Sequence, residues 1–102
     1  MGTVTTSLAD RATGIFRDLG YSVSGDGSEL RATRKWRTVH VTPMAEPGAP
    51  PAAGDLRCFV TWAEQVGALE RELQRADPDY EWAIIGLEGE DGYRVRRRQP
   101  SG

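Results

Sequence analysis

Three kinds of spacing run along the chain, and together they predict its elements. Leu8, Ala12, Ile15, Phe16 and Leu19 share one helical face, with Ser7 placed to cap and Gly20 placed to end the helix. This predicts a helix over Leu8–Leu19, preceded by a short tail. Short runs rich in β-branched and aromatic residues follow, predicting strands over Tyr21–Ser24, Glu29–Arg34 and Trp36–Thr42. Gly25-Asp26-Gly27 reads as the first tight turn. Pro43–Asp55 holds four of the six prolines and reads as an exposed loop.

The stretch Asp55–Glu88 reads strand, helix, strand. Leu56–Thr61 is the first strand, and Thr61-Trp62-Ala63-Glu64 has the form of a capping box. Trp62, Val66, Leu69, Leu73 and Ala76 then recur at helical spacing until Asp77-Pro78 stops the helix. Trp82–Leu87 is the most apolar run and predicts a buried strand. Gly89-Glu90-Asp91-Gly92 predicts a turn, and Tyr93–Arg97 the last strand of a hairpin. Gln99–Gly102 reads as a tail.

The order α-β-β-β-β-α-β-β predicts an α+β fold: a mainly antiparallel sheet of five to six strands with both helices on one face and the other face open. If the strands flanking the second helix are adjacent and parallel, their crossover is right-handed. With 102 residues and no repeat, the expectation is one domain over 1–102.

Composition narrows the function classes. There is no run of about 18 apolar residues to span a membrane, and no basic stretch followed by an apolar core to act as a secretory leader. The single cysteine, Cys58, suits a reducing compartment, and the single histidine, His40, excludes multi-histidine metal sites. The expected location is cytoplasmic, with no cofactor and no metal. A net charge of −2 gives no global basic field.

Charge is nevertheless segregated. Arg31, Arg34, Lys35 and Arg37 form one basic cluster, and Arg94, Arg96, Arg97 and Arg98 another. Nine acids against two arginines lie between Glu64 and Asp91. With Trp36 and Phe59, the basic clusters predict a binding face made of Arg34, Lys35, Trp36, Arg37, His40, Arg57, Phe59, Arg94 and Arg96. Such a face suits a protein partner or self-association. It also suits single-stranded nucleic acid, through arginine and aromatic stacking. The plainer alternative is that outward arginines protect edge strands from pairing.

Catalysis is the least supported class. His40 and Cys58 lie on neighbouring predicted strands, but nothing in the sequence brings them within hydrogen-bond reach. The element order is similar to that of PD-(D/E)xK nucleases, which hold a metal with an acid on one strand and an acid-x-lysine on the next. That resemblance points to Asp26, Glu29 and Lys35, yet Thr33 and Arg34 precede the lysine and the triplet is missing.

A closer resemblance covers most of the chain. LGYSVSGDGSELRATRKWRTVHVT, CFVTWAE and DPDYEWAIIG resemble a small uncharacterised family of haloarchaeal proteins of unknown function. Of the thirteen basic residues only Lys35 is a lysine, which agrees with it. The resemblance implies a single small domain and adds no mechanism; the lack of a convincing active site in the residues themselves is what favours a small non-catalytic binding module.

Overall fold

The computed structural model describes residues 3–25, 29–44, 56–89 and 92–97, with side chains from Leu8 onward. Helix α1 (Thr3–Asp18) is followed by strands β1 (Ser22–Gly25), β2 (Leu30–Arg34), β3 (Arg37–Pro43) and β4 (Leu56–Trp62). A 3₁₀ turn (Ala63–Gln65) leads into helix α2 (Val66–Ala76), and β5 (Glu81–Glu88) and β6 (Gly92–Arg97) follow it. The expected turn residues Asp26, Gly27, Glu90 and Asp91, the loop from residue 45 to 55, Arg98 and the tail beyond it lie outside the described residues. Thr3 to Thr6 are helical and do not form a tail.

All six strands form one sheet in the order β1-β2-β3-β4-β5-β6. Its three outer pairings are antiparallel, while β3–β4 and β4–β5 are parallel. The sheet is therefore mixed, where the sequence predicted a mainly antiparallel one. Hairpin turns were visible for β1–β2 and β5–β6, but the long connection before β4 carries no direction signal.

The helices also do not share a face. On the front face, Leu8, Ala9, Ala12 and Phe16 of α1 pack on Leu30, Ala32, Val39, Val41, Cys58, Val60, Ile85 and Leu87. On the back face, Leu69 and Leu73 of α2 pack with Phe59, Tyr80, Trp82 and Ile84. The reason lies in β4 and β5, which bury both parities of their residues: Cys58 and Val60 forward, Phe59 and Thr61 back. Strands buried on both sides need a helix on each.

The C-terminal ends of both helices obey local rules, but neither N-terminal end follows the expected cap: Ser7, placed by the sequence to cap α1, lies inside that helix. At the end of α1, Tyr21 N–H donates to Phe16 O at 2.9 Å and Gly20 N–H to Arg17 O at 3.0 Å. With Gly20 at φ 91°, this is the glycine-terminated Schellman turn the sequence predicts. Leu19, however, is exposed rather than on the buried stripe. At the end of α2, Asp77 takes the left-handed conformation and its N–H donates to Leu73 O at 2.9 Å. The predicted capping box is absent: Thr61 stays in β4, wholly buried, and its Oγ1 has no hydrogen-bond partner. Trp62 accordingly packs on the front cluster rather than on the α2 stripe, and Ala76 is exposed.

One contact fixes how α1 lies across the sheet. Arg11 donates to Gly89 O at 2.7 Å and to Gly92 O at 3.0 Å, tying the helix to the β5–β6 hairpin. The other end of the helix meets Tyr21 at the start of β1. The helix thus runs diagonally and leaves one corner of the front face open.

Candidate binding surface

The tip of the β2–β3 hairpin is built from Arg34, Lys35, Trp36 and Arg37. Arg34 and Arg37 are paired across the strands, and Lys35 and Trp36 make the turn between them. Lys35 takes φ 53°, a left-handed conformation that costs a non-glycine residue about 1–2 kcal/mol. Its neighbour Trp36 is 100% exposed. Covering about 200 Å² of indole would recover up to about 5 kcal/mol. Arg34, Lys35 and Arg37 have no ion pair with any described acid.

Beside the tip lies the corner that α1 leaves open, a groove of about 510 Å³. Val39, Leu56, Ala83, Ile85 and Val95 form its floor, and Phe16, Leu19 and Tyr21 its wall. Phe16 and Tyr21 meet edge to face with ring centroids 5.3 Å apart, which stiffens that wall. Arg37 and Arg97 stand at the rim with Glu81. Val95 is 51% exposed and Leu19 50%, so the apolar surface continues beyond the hollow. Cys58 also lines the groove, and burial pushes its thiol up to about 12, far from a reactive thiolate.

The back face carries a separate polar cluster. Arg57 Nη1 donates to Glu29 Oε1 at 3.1 Å, and His40 Nδ1 lies 3.6 Å from the same oxygen. The Arg57 guanidinium sits 5.6 Å from the Tyr80 ring centroid. Burial raises the Tyr80 phenol above its ordinary range, and the Arg57 charge pulls the other way. These contacts hold Arg57 only 12% exposed, so the cluster braces β2 to β4 rather than presenting a charge.

Residues 9–97 match the model of DUF7116, a family of unknown function. The chain belongs to that family. No curated protein and no solved structure matches it. The DUF7116 match spans the hairpin tip, the groove, α2 and α1 from Ala9 onward.

Within this DUF7116 chain, the residues predicted as one binding face fall in four places. Arg34, Lys35, Trp36 and Arg37 stay together at the hairpin tip. His40 and Arg57 meet on the back face through Glu29. Arg94 and Arg96 lie on β6, with Arg94 Nε 2.5 Å from Glu88 and Arg96 Nε 3.6 Å from Glu70. Phe59 is fully buried beneath α2 and cannot stack on a ligand. Trp36 belongs to the turn, so it does not alternate with Thr38 and His40 on one strand face. His40 and Cys58 point to opposite faces, which separates the only Cys–His pair. Glu29 and Lys35 flank opposite ends of β2, roughly 20 Å apart by strand rise. Among the described residues, no group of three or more His, Cys, Asp or Glu side chains could hold a metal. No helix there is long and apolar enough to cross a membrane. Arg97, Leu19 and Val95 of the groove were missed by pattern reading. The alternation of Tyr93, Val95 and Arg97 was the one signal available for two of them.

Proposed function

We propose that this DUF7116 chain is a non-catalytic module that binds a partner protein through the β2–β3 hairpin tip and the adjoining groove. The fully exposed Trp36 carries the reading. Tryptophan and arginine are the side chains most enriched among the anchors of protein interfaces. Here one tryptophan stands among three cations that have no ion pair among the described residues, next to an apolar groove able to take side chains from a partner. Those cations favour an acidic partner. Self-association through the same tip is the homotypic form of this proposal, and cytoplasmic work fits the single buried thiol.

The second reading is single-stranded nucleic acid, favoured by the same three cations around an aromatic. It is weakened by the loss of Phe59 to the core, because stacking platforms use several aromatics in succession. Lysine depletion supports a haloarchaeal source. In molar salt the Debye length shrinks to about 3 Å, leaving apolar contact to supply most of the affinity.

The test compares the full chain with Trp36→Ala and Arg37→Glu in affinity capture, sedimentation velocity and titration with mixed-sequence single-stranded DNA and RNA. A protein species, or a self-associated form, that depends on Trp36 and Arg37 supports the proposal. Binding only to the oligonucleotides, with a steep salt slope, replaces it with the second reading. Equal behaviour of all three chains in every assay sinks both.

A further inference from the structure

Among the described residues the sheet ends at β6, and none of them pairs with the outer side of that strand. It runs six residues in unbroken register with β5, from Ala83 opposite Arg97 to Glu88 opposite Gly92, with no proline and no bulge. Every residue on it is exposed. The other edge, β1, has only four residues, three of them serine or glycine. Natural sheets usually guard an edge of β6's length with proline, a bulge or outward charge.

The arginines of β6 do not stand guard in this way. Arg94 and Arg96 fall on the back face, where Glu88 and Glu70 each hold a guanidinium through Nε. Each guanidinium carries five N–H donors, more than one carboxylate can engage. Tyr93, Val95 and Arg97 fall on the front face, and Val95 and Arg97 border the apolar groove. The edge therefore offers a free backbone ladder with cationic donors on one side and apolar surface on the other.

We infer that β6 accepts an extended segment of a partner in which apolar and acidic residues alternate. The segment would pair with the open backbone, place its acids beside Arg94 and Arg96, and lay its apolar side chains next to Tyr93 and Val95. A second copy fits less well. An antiparallel β6 pair centred on Val95 sets Arg94 opposite Arg96 of the other copy, and like charges directly opposite are destabilising. This edge shares Val95 and Arg97 with the groove but none of the residues of the hairpin tip, so the inference does not depend on Trp36.

The probe is a labelled heptapeptide of alternating glutamate and valine, followed by fluorescence anisotropy and by amide exchange of the full chain. Two controls are the lysine–valine peptide and the glutamate–valine peptide with alternate amides N-methylated. The inference expects saturable binding of the first peptide and slowed exchange at alternate β6 amides. It also expects binding at least about tenfold weaker for the lysine peptide, as two charge pairs change sign, and loss of binding on N-methylation. Trp36→Ala should bind as tightly as the native chain, and the paired Arg94→Glu/Arg96→Glu variant should prefer the lysine peptide. Equal affinity for both peptides, protection elsewhere than β6, or β6 protection that grows with protein concentration alone would overturn it. The N-methyl control uses the native chain, so a misfolded charge-reversal variant does not remove the test.

Discussion

Gly86 lies on the back face of β5 directly beneath the start of α2. A Cβ built there would run into Val66 Cγ2 and lie 3.3 Å from Ala63 Cα, so helix and strand meet at a position that admits only hydrogen. Gly86→Ala adds one methyl group to a packed contact, which costs about 1–3 kcal/mol. Alanine recovers about 0.5–1 kcal/mol of the backbone entropy that glycine loses in a strand. The expected net destabilisation is about 1–2 kcal/mol, a drop in Tm of roughly 5–10 °C for a chain of this size. Val66→Ala alone removes half-buried methyl groups and costs about 1 kcal/mol. In the double variant the new methyl occupies the vacated space, so the two losses should fall short of their sum by about 1 kcal/mol or more. Urea unfolding followed by fluorescence of the buried Trp82 measures all four chains. A neutral or stabilising Gly86→Ala, or strictly additive losses, would refute the claim that Val66 closes over this glycine.

Trp36→Ala should change stability by no more than about 0.5 kcal/mol, since the side chain is fully exposed, while removing the emission component most accessible to iodide. Differential unfolding and Stern–Volmer quenching check the two halves. Arg11→Ala should cost about 1 kcal/mol in urea unfolding and speed amide exchange in β6, because two hydrogen bonds to the β5–β6 hairpin are lost. Cys58 supplies a pH dependence with a definite sign. Its thiol titrates near 9 when unfolded and about 12 when folded, so the folded state keeps a proton that the unfolded state releases. Stability tied to that proton is complete below pH 9 and declines between about pH 9 and pH 12, with a slope of at most about 1.4 kcal/mol per pH unit. Cys58→Ala should flatten that part of the curve relative to the native chain, and an unchanged slope would contradict it.

The extent to which the sequence disclosed this molecule depended on how local each signal was. The end of α1 at Gly20 and the end of α2 at Asp77 rest on a few neighbouring residues, and both were legible. So were Trp82 and the buried strand around it. The capping box failed because Thr61 answers to a distant constraint: β4 needs it as a buried strand position. The helix faces failed for a related reason. Phe59 looked like an exposed aromatic only while the back of β4 was imagined bare, and α2 covers it. At the binding surface, the cations around Trp36 were visible as a cluster in the sequence. The groove was not, because it is the area left uncovered by a helix whose diagonal is fixed by Arg11 reaching residues about eighty positions away.

That Arg11 tether has a consequence for how the chain is made. The helix leaves the ribosome about eighty residues ahead of its anchors at Gly89 and Gly92. At about 5–20 residues per second, roughly 4–16 s separate them. During that interval Leu8, Ala12 and Phe16 can settle on Leu30, Ala32 and Val39, but Ile85 and Leu87 have not yet been synthesised. A chain halted before β5 therefore carries a helix half docked on an unfinished sheet. Such a nascent chain is the form most in need of a chaperone, and the hairpin that ends the sheet also ends that exposure.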